Sequence, residues 1–324
     1  MKKLFFFVFL FAIVSATQLN LTMDSLGRWR FPITARLVET GTYVDARVFL
    51  DFHGRHDFLY QPRRNETGNF SIPTVSDLGL WDTMDASIGV DASIGVARGS
   101  SFRQVYDRFI ITPSGERGSG LLVLDPSTPD QYAYEGQWFY VNSLNDQISV
   151  IEASVVVGDE TASSPAEFVL DTIGDHTNIP MDAFRNIIGH LERAGFRVVD
   201  SIVDVPSGEA LAAVRIQTTG SLTRLYIPRL TAAELAQVLP PIHFEMVSGT
   251  QRFRVTIFPE DYIKPLANGH VLSISTDNGV SPNTIGTNLL RHIALQIENE
   301  DNRIGFAEPV DEVSLVICGQ SFLA

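Results

Sequence analysis

Phe49-Leu50-Asp51-Phe52-His53-Gly54-Arg55-His56 and Val169-Leu170-Asp171-Thr172-Ile173-Gly174-Asp175-His176 read as two copies of one segment. Each enters on apolar, strand-like residues, carries Leu-Asp-x-x-Gly-x-His, and runs on to a proline, Pro62 in the first and Pro180 in the second. Equivalent carboxylates from two half-chains imply one acid–base dyad where the halves meet. Two carboxylates held close together do not both ionise easily, so one keeps a proton while the other acts as base. Asp51 and Asp171 are therefore the candidate catalytic pair.

Four further stretches point the same way. Thr284-Ile285-Gly286-Thr287-Asn288-Leu289-Leu290-Arg291 is similar to "ILGDxFLR". Residues 296–307, closing on Asn302-Arg303-Ile304-Gly305-Phe306-Ala307, are similar to "VFDxxNNRVGFA". Leu239-Pro240-Pro241-Ile242-His243-Phe244 followed by Pro259-Glu260-Asp261-Tyr262-Ile263 resembles "LPxIxF…PxxYI". Gly118-Ser119-Gly120-Leu121-Leu122-Val123-Leu124 resembles "DGILGLG". In this order they make the chain resemble the pepsin-like aspartic peptidases (family A1) over residues 31–307.

That resemblance implies an all-β, bilobal acid protease fold with a few short helices. Each lobe supplies one aspartate, and a polypeptide substrate or ligand lies in the cleft between them. It implies lobes at residues 17–140 and 141–310, with a tail at 311–324. In the family, the residue after each Asp ties the two loops together by hydrogen bonds, the next glycine turns the backbone tightly, and a Ser/Thr hydroxyl then donates to the carboxylate. Thr172, Gly54 and Gly174 are the dyad-loop candidates here. The pattern is altered, however: Phe52 carries no hydroxyl, Ile173 stands where glycine is expected, and Gly174 stands where Ser/Thr is expected. No Tyr lies between Tyr60 and Tyr106 to serve as the family's flap tyrosine. Trp81 and Ile94 are the cleft or flap candidates. The perfect repeat Asp85-Ala86-Ser87-Ile88-Gly89-Val90, Asp91-Ala92-Ser93-Ile94-Gly95-Val96 falls where the flap is expected and reads as a duplication extending a surface hairpin.

Three functional readings stay open. The chain is an aspartic endopeptidase working through Asp51 and Asp171; or its catalytic loops have decayed and the cleft binds peptides without cleaving them; or the scaffold is a protein-binding or inhibitor module. The short run between the expected leader and Asp51 leaves no room for an inhibitory prosegment, which suits the last two readings. No cofactor and no metal are expected. Asp51, His56, Asp171 and His176 have no recognisable metal-ligand spacing and read as loop residues. A serine hydrolase is excluded by the absence of Gly-x-Ser-x-Gly around Ser119.

Composition bounds the setting. Lys2 and Lys3, the apolar run from Leu4 to Val14, and Val14-Ser15-Ala16 form a secretory signal over residues 1–16. The expected location is extracellular or the endolysosomal lumen, and no later run is long enough to span a membrane. Net charge is −14, with 38 Asp and Glu against 24 Lys and Arg, which excludes a nucleic-acid partner. Cys318 is the single cysteine, so no intramolecular disulfide forms, and it reads as a buried apolar residue. A monomer is expected, with glycosylation sequons at Asn20, Asn65 and Asn69. Strands are expected over residues 31–38, 44–51, 105–111, 147–157, 166–170, 252–258 and 293–297. Helices are expected from Met181 to Ala194, stopped at Gly195, and from a capping box at Thr231 to Pro240.

Overall fold

The computed structural model describes residues 17–23, 29–37, 43–52, 58–60, 67–71, 84–87, 91–96, 106–114, 118–144, 150–160, 163–172, 174, 176–200, 213–219, 222–228, 230–267, 269–277, 282–298 and 301–310. The chain first lays down β1 (Thr17–Met23), β2 (Trp29–Leu37), β3 (Tyr43–Asp51), β4 (Phe58–Tyr60), β5 (Thr67–Ser71) and β6 (Met84–Ser87). There follow β7 (Asp91–Gly95), β8 (Arg108–Pro113), β9 (Ser119–Leu124) and β10 (Phe139–Asn142). Next come β11 (Val150–Val157), β12 (Ala166–Leu170), β13 (Thr177–Asn178), helix α1 (Met181–Arg193), β14 (Arg197–Asp200), β15 (Ala213–Thr219) and β16 (Leu222–Pro228). Helix α2 (Ala232–Val238), β17 (Ile242–Ser248), β18 (Gln251–Ile257), helix α3 (Pro259–Tyr262), β19 (Ile263–Leu266), β20 (Gly269–Asp277) and β21 (Asn283–Ile285) continue the second part. Helix α4 (Thr287–Leu290), β22 (Ala294–Glu298) and β23 (Arg303–Ala307) close it.

Among the described residues these strands join into a twelve-stranded and an eleven-stranded sheet. The chain leaves the first sheet at β10 and enters the second at β11, but β22 and β23 return to the first, between β10 and β8. The expected all-β architecture with short helices is what forms.

Local sequence explains the elements. In β11, Ile151, Ala153, Val155 and Val157 are buried while Glu152 is exposed, the period of two that gives a strand one dry face. Phe168 of β12 and Phe244 of β17 meet edge to face across this core, with ring centroids 5.5 Å apart. Helix α1 buries Ala183, Phe184, Ile187 and Leu191 at helical spacing. It stops at Gly195, whose φ of +90° suits a residue without a Cβ. Thr231 caps α2 reciprocally: the Glu234 N–H donates to Thr231 Oγ1 at 3.2 Å, and the Thr231 N–H donates to Glu234 Oε2 at 2.8 Å. Both helices lie where their sequence signals put them.

One topological device occurs twice and places the site. In the first half, β7 runs parallel to β3, with Asp51 opposite Gly95, and β4 lies antiparallel on the far side of β7. In the second half, β21 runs parallel to β12, with Leu170 opposite Ile285, and β13 lies antiparallel to β21. The registers match: Phe58 stands opposite Ser93, and Asn178 opposite Thr284. Those offsets from Asp51 and Gly95 equal the offsets from Asp171 and Gly286.

This symmetry corrects one expectation and places a second residue. The second copy of the hexapeptide repeat does not extend a surface hairpin; Asp91-Ala92-Ser93-Ile94-Gly95 is the strand laid parallel to the one that ends in Asp51. Ile94, expected at the cleft or flap, stands opposite Leu50 within that ladder. It is also Ser93-Ile94-Gly95 that matches Thr284-Ile285-Gly286 in position. The stretch Gly118–Leu124 instead contributes β9, which pairs with β1 and β8. A parallel partner needs a long crossover, so nothing in the local sequence marks it.

Candidate functional site

Asp51 ends β3 and is 8% exposed. Its carbonyl accepts the Val96 N–H at 2.8 Å, just beyond the end of β7. Asp171 follows β12, and its N–H donates to the Ile285 carbonyl at 2.8 Å. Each aspartate is thus carried out of its sheet by the strand inserted beside it.

The two loops are joined directly. The Thr172 hydroxyl donates to the carbonyl of Leu50, the residue before Asp51. Thr172 is buried, and this bond links positions adjacent to the two aspartates. The reciprocal bond does not exist, because Phe52 has no hydroxyl. Phe52 is instead 1% exposed and packs edge to face on Phe109, with ring centroids 6.2 Å apart. One half of the junction is polar and the other is an apolar anchor. Thr172→Val should lose about 1–3 kcal/mol, since it leaves the buried Leu50 carbonyl without its donor. Chemical denaturation checks this, and an unchanged midpoint would contradict the joint.

The Asp171 loop is built around two glycines. The Gly174 N–H donates to Asp171 Oδ1 at 2.8 Å, aiming a backbone dipole at the carboxylate. At this position the family pattern has a hydroxyl donor; here the backbone supplies the donor. A Cβ on residue 174 would lie 2.4 Å from Asp171 Oδ2, so any other residue there would displace the carboxylate. Gly286 makes an even closer approach: a Cβ there would sit 2.1 Å from the His176 carbonyl oxygen. The Gly286 N–H donates to Thr177 Oγ1 at 3.1 Å, and that hydroxyl donates to Asn288 Oδ1 at 2.6 Å. The Thr287 N–H and hydroxyl both donate to the Gly174 carbonyl, at 2.9 and 3.1 Å. Asn288 Nδ2 reaches the Ser273 carbonyl at 3.2 Å. Thr177, Gly286, Thr287 and Asn288 therefore hold the Asp171 loop from behind. The sequence resemblance included residues 284–291 but gave them no role, because their work is a set of long-range contacts.

Behind this shell, Asp261 of α3 is clasped by the residues that follow α4. Arg291 Nη2 donates to Asp261 Oδ1 at 2.7 Å, and His292 Nε2 lies 3.0 Å from the same oxygen. Burial alone pushes the Asp261 carboxyl up, but the hydrogen bonds and charges of His292 and Arg291 outweigh it and hold the carboxyl below its ordinary value. A folded-state value below the unfolded one contributes stability that is complete above about pH 5 and fades as pH falls through the folded value. Asp261→Asn should therefore cost about 2 kcal/mol at pH 7 and progressively less toward pH 3. Urea denaturation at both pH values tests it; a pH-independent difference would contradict the clasp.

Of the other sequence candidates, Gly54 and Trp81 lie outside the described residues, as do His53, His56 and Ile173. Ile94 is placed by its backbone as above. Among the described residues no group of three or more His, Cys, Asp and Glu side chains could hold a metal ion, and no helix is long and apolar enough to cross a membrane.

The crystal structure of the aspartic proteinase from Irpex lacteus matches this chain with a TM-score of 0.58, over 93% of this chain and 99% of that one. The fold is that of an aspartic proteinase. Sequence identity to that enzyme is 14%, so the likeness extends to the fold and not to the activity. No family model matches the chain, and no curated protein does. The joined loops of Asp51 and Asp171 are the candidate functional site.

Proposed function

We propose that the chain is a secreted protein that binds an extended polypeptide between lobes at residues 17–140 and 141–310, and hydrolyses it with Asp51 and Asp171. The observation that carries this is the hydrogen bond from the Thr172 hydroxyl to the Leu50 carbonyl, which ties the two aspartate loops to one another. In the proposed reaction one carboxylate takes a proton from water as the water attacks the peptide carbonyl carbon. The protonated carboxyl gives its proton to the carbonyl oxygen. Collapse of the tetrahedral intermediate breaks the C–N bond: the departing nitrogen takes the proton the first carboxyl had received from water, and the second carboxylate takes back a proton from a hydroxyl of the intermediate as the new carboxyl forms. No metal or cofactor enters the reaction. The leader at residues 1–16 supports secretion, and Asn20, exposed on β1, is available for a glycan.

A second reading, a cleft that binds peptides without cleaving them, is favoured by Phe52. Its buried ring replaces one of the two hydroxyls expected across the junction. Both readings expect the chain to bind pepstatin, a peptide with a hydroxyl in place of the scissile carbonyl. Calorimetry at acid pH should detect that complex, and Thr172→Val should weaken it. Absence of binding by a folded chain would leave only the protein-binding module. Cleavage of a polypeptide separates the first two readings.

A further inference from the structure

Asp85-Ala86-Ser87-Ile88-Gly89-Val90 and Asp91-Ala92-Ser93-Ile94-Gly95-Val96 are identical residue for residue. The sheet sets the two copies on either side of one strand, because β4 lies between β7 and β6. Leu59 of β4 stands opposite Ala92 in an antiparallel pair and opposite Ala86 in a parallel one. Both alanines hold the second place in their copies. Among the described residues the second copy alone pairs with β3, with Arg47 opposite Asp91, Val48 opposite Ala92 and Phe49 opposite Ser93.

Nothing in the pairing beside β3 distinguishes one copy from the other. Register is specified by the side chains a strand presents to each face and by the turns at its ends. Asp85-Ala86-Ser87 of β6 would offer β3 the residues that Asp91-Ala92-Ser93 offer it now, and the sequence continues with Ile and Gly after both. A shift of six residues is even, so each residue type returns to the face it left. Advancing the chain by one repeat would shorten the connection from β4 by six residues and lengthen the connection to β8 by six. The entropy of closing a loop changes only slowly with its length. What the exchange gives up is the pairing of β6 with β5 and β4. That pairing favours the second copy and makes the exchanged arrangement the minor one.

We infer that the two copies compete for the place beside β3, and that a minor fraction of chains, of order 0.1–10%, carries Asp85–Ser87 opposite Arg47–Phe49. The strand laid against the one that ends in Asp51 then has the same sequence in both states, while the connections on either side of it differ by one hexapeptide. This alternative does not depend on catalysis by the aspartates.

Cysteine pairs read the register. Cys318 is the only native cysteine, so a Cys318→Ala background leaves the introduced thiols alone in the chain. Phe49→Cys with Ser93→Cys joins residues that face each other in the pairing above and should close readily with oxidised glutathione. Phe49→Cys with Ser87→Cys joins positions separated by β7 and β4, which meet only after the exchange. Phe49→Cys with Ala86→Cys is one position out of step in the exchanged register. Successive residues of a strand point to opposite faces, so the Ser87 pair should form an intramolecular disulfide about ten-fold faster or more than the Ala86 pair. Equal rates would mean general opening of the region and would overturn the inference. So would a Ser87 pair that never closes in a chain whose Ser93 pair does. Proline gives a second reading without thiols, because it removes a ladder hydrogen bond from a central strand. Ala92→Pro should leave the chain folded, with the first copy in the strand's place, and Ala86→Pro combined with Ala92→Pro should not. Unfolding by Ala92→Pro alone would overturn the inference.

Discussion

Gly286→Ala should cost about 3 kcal/mol or more, the largest loss expected from a Cβ added at any described glycine. The added Cβ would stand 2.1 Å from the His176 carbonyl oxygen and 2.9 Å from the Gly174 carbonyl oxygen. Both obstacles are backbone atoms, so no side-chain rotation relieves them. Their displacement would move the Gly174 carbonyl away from the Thr287 N–H and hydroxyl, and would disturb the Gly286 N–H bond to Thr177. The Asp171 loop loses its backing at the same time as it is pushed. Alanine here should therefore abolish function together with stability. By contrast, Gly195→Ala meets no atom within 4 Å and pays only for its positive φ, about 1 kcal/mol. Paired urea denaturation curves check the ordering; a Gly286→Ala chain as stable as Gly195→Ala would contradict the close approach.

Asp171→Asn should lower turnover by about 10³-fold or more while leaving the fold intact. Asparagine keeps an oxygen to accept the Gly174 N–H, so the loop geometry survives, but it has no proton to share with Asp51 and no charge to offer. Asp51→Asn should do the same. The informative comparison is the double variant. Groups that act as one unit are not additive, so losing both aspartates should cost little more than losing either. Turnover of a quenched peptide substrate by the two single variants and the double variant measures this. Multiplicative losses would mean that the two carboxylates work separately, and the dyad would fall.

Much of the fold was legible because it rests on local patterns. The alternation in β11, the apolar stripe of α1 with its stop at Gly195, and the Thr231–Glu234 capping box are written in adjacent residues. The aspartates were legible for a related reason: the segments around Asp51 and Asp171 repeat one another in order and spacing. What stayed hidden depends on contacts between distant residues. Asp91–Gly95 looks like a turn-rich duplication, and only its parallel pairing with β3 turns it into the counterpart of Asn283–Ile285. Gly118–Leu124 carried no placement of its own, because a glycine followed by an apolar run suits any buried strand; its partners, β1 and β8, decide where it goes. Gly286 gave no local signal either. Its φ of −87° is open to any residue, and glycine is required by the close approach of the His176 and Gly174 carbonyls. At position 174 the sequence suggested a missing hydroxyl donor, whereas the backbone N–H fills that role and the absence of a Cβ makes room for it.

Phe52 and Thr172 fix the two aspartate loops by different means. Thr172 supplies the bond that joins the loops, and Phe52 replaces its counterpart with buried apolar surface that fixes position without donating a hydrogen bond. The bond from Thr172 crosses between the two loops, whereas Phe52 is anchored on Phe109 of β8.

The most direct measurement is the cleavage of an unfolded protein substrate by the purified chain beginning at Thr17, scanned from about pH 3 to 7. Parallel samples carry pepstatin or the Asp171→Asn substitution. Cleavage that rises at acid pH and disappears in both parallel samples is the predicted result. A chain that is folded, binds pepstatin and cleaves nothing at any pH would contradict a catalytic dyad at Asp51 and Asp171.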